Sequence, residues 1–162
     1  MVKLKKRKAQ FETISKSSSQ TKKLGKILAQ EILGTLSQKA IVIGLVGDLG
    51  GGKTTFLQGF AKGLGVRERI LSPTFIIMKK FEIPTSNTHH SISNFYHIDC
   101  YRIEKLKEVL DLGFKKIISD PKDIIVIEWA DRIAKILPPR TLILHFEFVD
   151  QKTRRITIQG VK

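Results

Sequence analysis

The stretch Ile41-Val42-Ile43-Gly44-Leu45-Val46, running into Gly47-Asp48-Leu49-Gly50-Gly51-Gly52-Lys53-Thr54, decides how this chain folds. Its first six residues are apolar and mostly β-branched, the pattern of a strand buried on both faces. The next eight fit G-x-x-x-x-G-K-[ST], the phosphate-binding P-loop. Phe56, Leu57, Phe60, Ala61 and Leu64 then recur at helical spacing, and Gly65 stands where a helix would stop. Strand, glycine loop and helix in that order predict an α/β fold of the P-loop NTPase kind.

Each residue type in the loop has a physical task. The glycines let the backbone turn through positive φ and bring its N–H groups against phosphate oxygens. Gly47, Asp48, Leu49, Gly50, Gly51 and Gly52 are therefore candidate nucleotide contacts, with Lys53, Thr54 and Thr55 at the helix start adding free N–H groups and the positive end of its dipole. Lys53 has the length to reach β- and γ-phosphates, and the Thr54 hydroxyl suits Mg²⁺. With glycine at about 7% of residues, fewer than roughly one chain in a hundred of this size would carry the pattern by accident. The loop implies ATP and Mg²⁺ as ligands.

Composition bounds what surrounds this loop. With 162 residues the chain is long enough for one domain with a real core. Its apolar content of 41% and charged content of 27% are ordinary for a globular protein. No apolar run approaches a membrane span, and no apolar segment follows the basic N-terminus as in a secretory signal. The single cysteine, Cys100, excludes an intramolecular disulfide and a cysteine-rich zinc site. A cytoplasmic protein is expected. The net charge of +14 raises the prospect of a tRNA or other RNA contact, direct or indirect. Lys3, Lys5, Lys6, Arg7 and Lys8 carry five of those charges in residues 1–10, read as a disordered basic arm ahead of a domain over 11–162. The other lysines are scattered, without the interleaved aromatics of a single-strand binding groove.

Along the domain, Phe11–Ile14 reads as a short edge strand. Leu24, Ile27, Leu28, Ile32, Leu33 and Leu36 predict a helix over about 19–36 with a serine as N-cap. Thr74–Phe81 and Phe95–Tyr101 read as strands, separated by a polar loop that contains His89-His90. Those adjacent histidines lack ligand spacing and read as solvated. Glu104–Leu112 reads as a helix ended by Gly113, and Phe114–Ile118 as one more turn. Asp123–Trp129 is a second strand buried on both faces, Ala130–Leu137 is helical, and Thr141–Phe148 with Arg155–Ile158 forms a closing antiparallel pair. The sheet is thus expected to be mostly parallel, with helices around it and a C-terminal antiparallel strand pair.

A P-loop needs acids nearby to hold Mg²⁺ and orient water, and in parallel sheets these lie at the carboxyl ends of strands. Two apolar runs end that way, at Asp99 and Glu128, and either acid could serve the metal. Glu104, Glu108 and Asp111 alternate with lysines and read as a solvated helical face. His97, between Tyr96 and Ile98, reads as a half-buried strand residue. Trp129 flanks Glu128 as core, lid or partner contact.

With these pieces assembled, the chain resembles the bacterial TsaE (YjeE) family over roughly Ser17–Ile158. The likeness rests on G-D-L-G-x-G-K-T-T at Gly47–Thr55, S-P-T-[FY] at Ser72–Phe75, Y-H-x-D-x-Y-R at Tyr96–Arg102 and I-E-W at Ile127–Trp129. It implies a small ATPase required for threonylcarbamoyl modification of tRNA adenosine (t6A), working with TsaD and TsaB while TsaD performs the transfer. It implies Glu128 and Thr54 as Mg²⁺ ligands, and Asp99, with Lys53 and Thr55, as the catalytic set. It further implies a switch-like role for Ser72, Pro73 and Thr74, and adenine-side contacts near Ser17 or Ser18 and near Arg154. Two other readings fit the loop alone: a small P-loop kinase of a metabolite, and a basic RNA-binding protein that uses ATP as a switch.

Overall fold

The computed structural model describes residues 10–71, 76–84, 86 and 92–159. Ser72, Pro73, Thr74, His89 and His90, and all of the basic arm before Gln10, lie outside the described residues. In chain order the strands are β1 (Gln10–Ser15), β2 (Ile41–Gly47), β3 (Met78–Glu82), β4 (Asn94–Asp99), β5 (Asp123–Glu128), β6 (Leu142–Phe148) and β7 (Arg154–Gln159). The α-helices are α1 (Ser18–Leu33), α2 (Lys53–Gly63), α3 (Leu106–Leu110) and α4 (Phe114–Ile117), and Ala130–Ile136 is a 3-10 helix kinked at Ile133.

All seven strands form one sheet in the order β1-β7-β6-β2-β5-β4-β3. The two apolar runs, β2 and β5, sit side by side in parallel at its centre, flanked in parallel by β6 and β4. Both margins are antiparallel: β3 on β4 at one side, β7 on β6 and β1 on β7 at the other. The parallel centre and the closing pair follow the expectation from sequence. That the first strand should close the sheet against the last has no local signal in either segment. Every residue of β5 is buried, as an uninterrupted Ile/Val run requires when both faces are covered.

One face is covered by α1 and α2, where Phe56, Leu57, Phe60, Phe95 and Phe146 pack with Ile43, Ile124 and Val126. The other is covered by α3, α4 and the 3-10 helix, through Phe114, Ile117 and Ile133 on Ile98, Ile125 and Ile127. Glycines bring α1 and α2 unusually close: a Cβ on Gly25 would collide with the Phe56 carbonyl, and one on Gly59 with the Lys22 backbone. The helix that carries the P-loop lysine is thereby held against a second helix over most of its length. Phe60, fully buried between them and the sheet, would cost about 3–5 kcal/mol to truncate to alanine.

Some boundaries differ from the periodicity. The apolar spacing carried α1 to Leu36, but the helix ends at Leu33, Gly34 and Thr35 bond back to Glu31 and Ile32, and Leu36 is exposed. Gln10, counted with the basic arm, is already the first residue of β1. α2 ends as expected, with Gly65 at φ 84° after the Leu64 cap. No helix among the described residues is long and apolar enough to cross a membrane.

Candidate functional site

The P-loop leaves the carboxyl end of β2 and enters α2 through three glycines at positive φ, Gly47 at 125°, Gly50 at 73° and Gly52 at 97°. Gly47 also lies against the Phe146 backbone of β6, where a Cβ would collide with the carbonyl. Only glycine satisfies both demands. The loop is closed by the Gly51 N–H on the Asp48 carbonyl and tied to β6 by the Asp48 N–H on the Phe146 carbonyl.

Lys53 sits at the first position of α2, buried, with its ammonium donating to the carbonyls of Gly47 at 2.9 Å and Asp48 at 2.6 Å. The Trp129 ring lies over it, 4.1 Å from the nitrogen to the centroid. Burial lowers its pKa from the ordinary lysine value, against the opposing pull of Glu128, Asp48, Asp131 and Asp99. The cation is thus folded back across its own loop and capped by an aromatic face, not extended into open space.

The two acids arrive from adjacent parallel strands in register, Asp99 opposite Glu128, locked by the Cys100 N–H on the Glu128 carbonyl at 3.0 Å. Glu128 is 2% exposed and accepts from the Thr54 hydroxyl, at 3.0 Å to one oxygen and 3.2 Å to the other. Asp99 accepts the Tyr101 N–H at 2.9 Å. The sequence left open which acid faces the P-loop threonine; the structure puts Glu128 there. A hydroxyl and a carboxylate side by side are oxygen donors of the kind Mg²⁺ takes while keeping waters and phosphate oxygens in its other positions. No group of three or more His, Cys, Asp or Glu able to hold a metal occurs among the described residues. The donor set therefore fits a metal shared with a phosphate ligand, not one held by protein alone.

These groups open into a cleft of about 1120 Å³. Leu49, Gly50, Gly51, Gly52, Lys53, Thr54 and Thr55 line it from the loop, Asp99, Glu128 and Trp129 from the strand ends, and Ser17, Ser18 and Arg154 from the far side. Gly47 and Asp48 do not line it but anchor the loop from beneath. Ser17 is the N-cap of α1, accepting the Gln20 N–H at 3.1 Å. Arg154 reaches the Gly50 carbonyl at 2.8 Å and lies over the Phe148 ring at 4.5 Å. Residues 104 apart in sequence thus close one wall.

Several lining residues were not singled out from sequence. Tyr101 and Arg102 lay inside a quoted motif but carried no role; Lys16, Thr21, Ile76, Ile77, Ile103, Gln151 and Lys152 lay in no motif. Glu108, read as part of a solvated face, also lines the cleft, its carboxylate accepting the N–H groups of Glu104 and Lys105. His97 is 1% exposed, not half-buried. Trp129 has φ 57° and ψ 43°, the one described non-glycine residue with positive φ. A tryptophan held there costs on the order of 1–3 kcal/mol, a strain that clusters at functional sites.

Comparison with known proteins agrees with this fold. The family model for "Threonylcarbamoyl adenosine biosynthesis protein TsaE" matches residues 15–156, from the end of β1 into β7. The tRNA threonylcarbamoyladenosine biosynthesis protein TsaE of Treponema pallidum is 32% identical over 145 residues, covering 90% of this chain and 97% of that one. Its counterpart from Bacillus subtilis is 34% identical over 142 residues, covering 88% and 80%. The crystal structure of YdiB from Bacillus subtilis superposes with a TM-score of 0.70 at 28% identity, over 96% of this chain and 88% of that one. A match that runs through the P-loop, both strand-end acids and the closing hairpin covers the whole cleft, and the chain belongs to the TsaE family.

Proposed function

We propose that the chain is a Mg²⁺-dependent ATPase of t6A biosynthesis, whose hydrolysis supports turnover of a TsaD–TsaB pair and which does not itself transfer the threonylcarbamoyl group. The observation that carries this reading is the Thr54–Glu128 pair, 3.0 Å apart beside the P-loop, with Asp99 in register on the next strand. The family's printed description supports the pathway; the hydrolytic step is inferred from the site.

The backbone N–H groups of Gly50–Thr55 cradle the phosphates, and Lys53 exchanges a loop carbonyl for a phosphate oxygen. Thr54 and Glu128 hold Mg²⁺, which would neutralise charge developing on the β- and γ-oxygens. Asp99 orients or deprotonates the attacking water, its carboxylate held in place by the Tyr101 N–H. Thr55 assists at the same end. Ser17, Ser18 and Arg154 take the base and sugar side of the cleft. The basic surface adds a direct or indirect tRNA contact, which should weaken steeply with salt.

Calorimetric titration with ATP in Mg²⁺ tests the core of this reading, alongside phosphate release. Binding with slow hydrolysis that accelerates when TsaD and TsaB are added is expected. Lys53→Ala should remove both binding and turnover. No ATP binding in Mg²⁺ would end the proposal, and failure to recover TsaD and TsaB from extract with ATP present would remove the partner step.

A further inference from the structure

His97 stands out among the buried polar side chains. It is 1% exposed, and its Nε2 has no hydrogen-bond partner in the structure. β4 alternates its residues across the sheet, and His97 pairs in register with Val126, two residues before Glu128. The imidazole therefore lies on the same face as the Glu128 carboxylate and just behind it, with Nε2 3.6 Å from Oε1. That distance exceeds a hydrogen bond. An unsatisfied nitrogen in a core strand costs roughly 1–3 kcal/mol, where a leucine would cost nothing of the kind. A side chain retained at such cost, aimed at a candidate metal ligand, calls for a use.

We infer that His97 is a positioning residue for Glu128, donating from Nε2 to the carboxylate oxygen when the Thr54 hydroxyl turns to the metal. In this structure the hydroxyl lies within reach of both carboxylate oxygens, at 3.0 and 3.2 Å. Coordination through Thr54 would draw the hydroxyl to one side and leave the oxygen facing His97 without its donor. A shift of about half an ångström closes the imidazole onto that oxygen at ordinary hydrogen-bond length. The carboxylate is then held from both sides, one oxygen by threonine and one by histidine, and its approach to the metal is set. Partners of this outer kind typically contribute 10–100-fold to metal affinity. The inference rests on the Mg²⁺–ATP reading given above.

The test measures binding of a slowly hydrolysed ATP analogue by calorimetry, on the full chain, over a series of Mg²⁺ concentrations and in EDTA. For His97→Leu the Mg²⁺ concentration giving half of the affinity gain should rise about tenfold. Affinity in EDTA should be unchanged, and the melting temperature unchanged or higher because the orphaned nitrogen is gone. His97→Gln, whose amide nitrogen can occupy the Nε2 position, should recover wild-type Mg²⁺ dependence to within about threefold. Wild-type Mg²⁺ dependence in His97→Leu would overturn the inference. So would equal losses in EDTA and in Mg²⁺ with a lowered melting temperature, which would make His97 a packing residue, or a His97→Gln no better than His97→Leu. If the wild-type protein shows no Mg²⁺ dependence, the metal reading itself fails, a result distinct from any of these.

Discussion

The two ends of the cleft are built on different principles. At the phosphate end, Lys53, Asp99 and Glu128 are all buried, and each polar group is held by backbone or by a neighbouring strand in register. At the far end, Ser17, Ser18, Lys152 and Arg154 come from a helix start and a hairpin, with Ser18 and Lys152 exposed and Ser17 and Arg154 half-buried. Burial decides how much each group is worth. Charges behind low-dielectric walls act strongly on a bound phosphate, whereas exposed ones are screened and contribute little. The phosphate end should therefore carry the chemistry and the far end only modest affinity.

Asp99→Asn is the strongest attempt to break that contrast. Removing the candidate base at the buried end should cut the rate of phosphate release on the order of 10²–10⁴-fold, with ATP affinity in Mg²⁺ kept within a few-fold. Retained turnover would move the chemistry elsewhere and leave Asp99 as a structural strand end.

Cys100 sharpens the contrast, because it reports the electrostatics behind the buried end. Burial raises its thiol pKa to about 12, with Asp99 and Asp131 adding in the same direction and Arg132 opposing. An unfolded thiol ionises near its ordinary value of 9.0; the folded one keeps its proton. The folded state thus binds more protons between about pH 9 and about pH 12, and its stability falls as pH rises through that window. Between pH 8 and pH 10 the wild type should lose about 1.4 kcal/mol more than Cys100→Ala, measured by urea unfolding. Equal losses would mean that this side of the sheet is better solvated than its packing implies.

The same contrast explains what could be read in advance. The P-loop, its flanking strand and helix, and the two acids are short-range patterns: a turn that requires glycine, or an apolar run with one charge at its end. They are legible because a few consecutive residues meet a local demand. Lys16, Thr21 and Gln151 meet no such demand, since α1 and the β6–β7 hairpin converge on the loop only after β1 has closed the sheet against β7. Glu108 is exposed, as a solvated face requires, but its place at the cleft is not legible for a related reason. Lysines around it resemble a solvated face, yet a short helix at the cleft rim is both solvated and in the site. Trp129 was visible as a residue, but its left-handed backbone is imposed by the turn from β5 into the 3-10 helix.

Ser17 tests whether the far end is scaffold as well as surface. Its hydroxyl caps α1, while the backbone carbonyl accepts the Ser15 hydroxyl at 2.9 Å and the Thr21 N–H at 3.1 Å. Ser17→Ala should cost about 1 kcal/mol, a melting shift of roughly 2–4 °C for a chain of this size. A loss of ATP affinity larger than that of stability would make the hydroxyl a ligand contact beyond its capping role.

The smallest effect expected is that of Arg154→Ala, and it is the most direct test of the far end. The guanidinium donates to Gly50 and to the carbonyls of Asp150 and Thr153, and it lies over Phe148. The bond to Gly50 ties the hairpin to the lip of the P-loop, and the other three contacts, all within the hairpin, hold the guanidinium there. None reaches Lys53, Thr54, Asp99 or Glu128. Loss of an exposed contact of this kind is worth about 0.2–1 kcal/mol, or at most roughly fivefold in ATP affinity. Turnover at saturating ATP should not change, because the groups that act on the phosphates keep their own supports. If saturating turnover also fell, the arginine would be setting the loop that positions Lys53, and the two ends would be one mechanical unit.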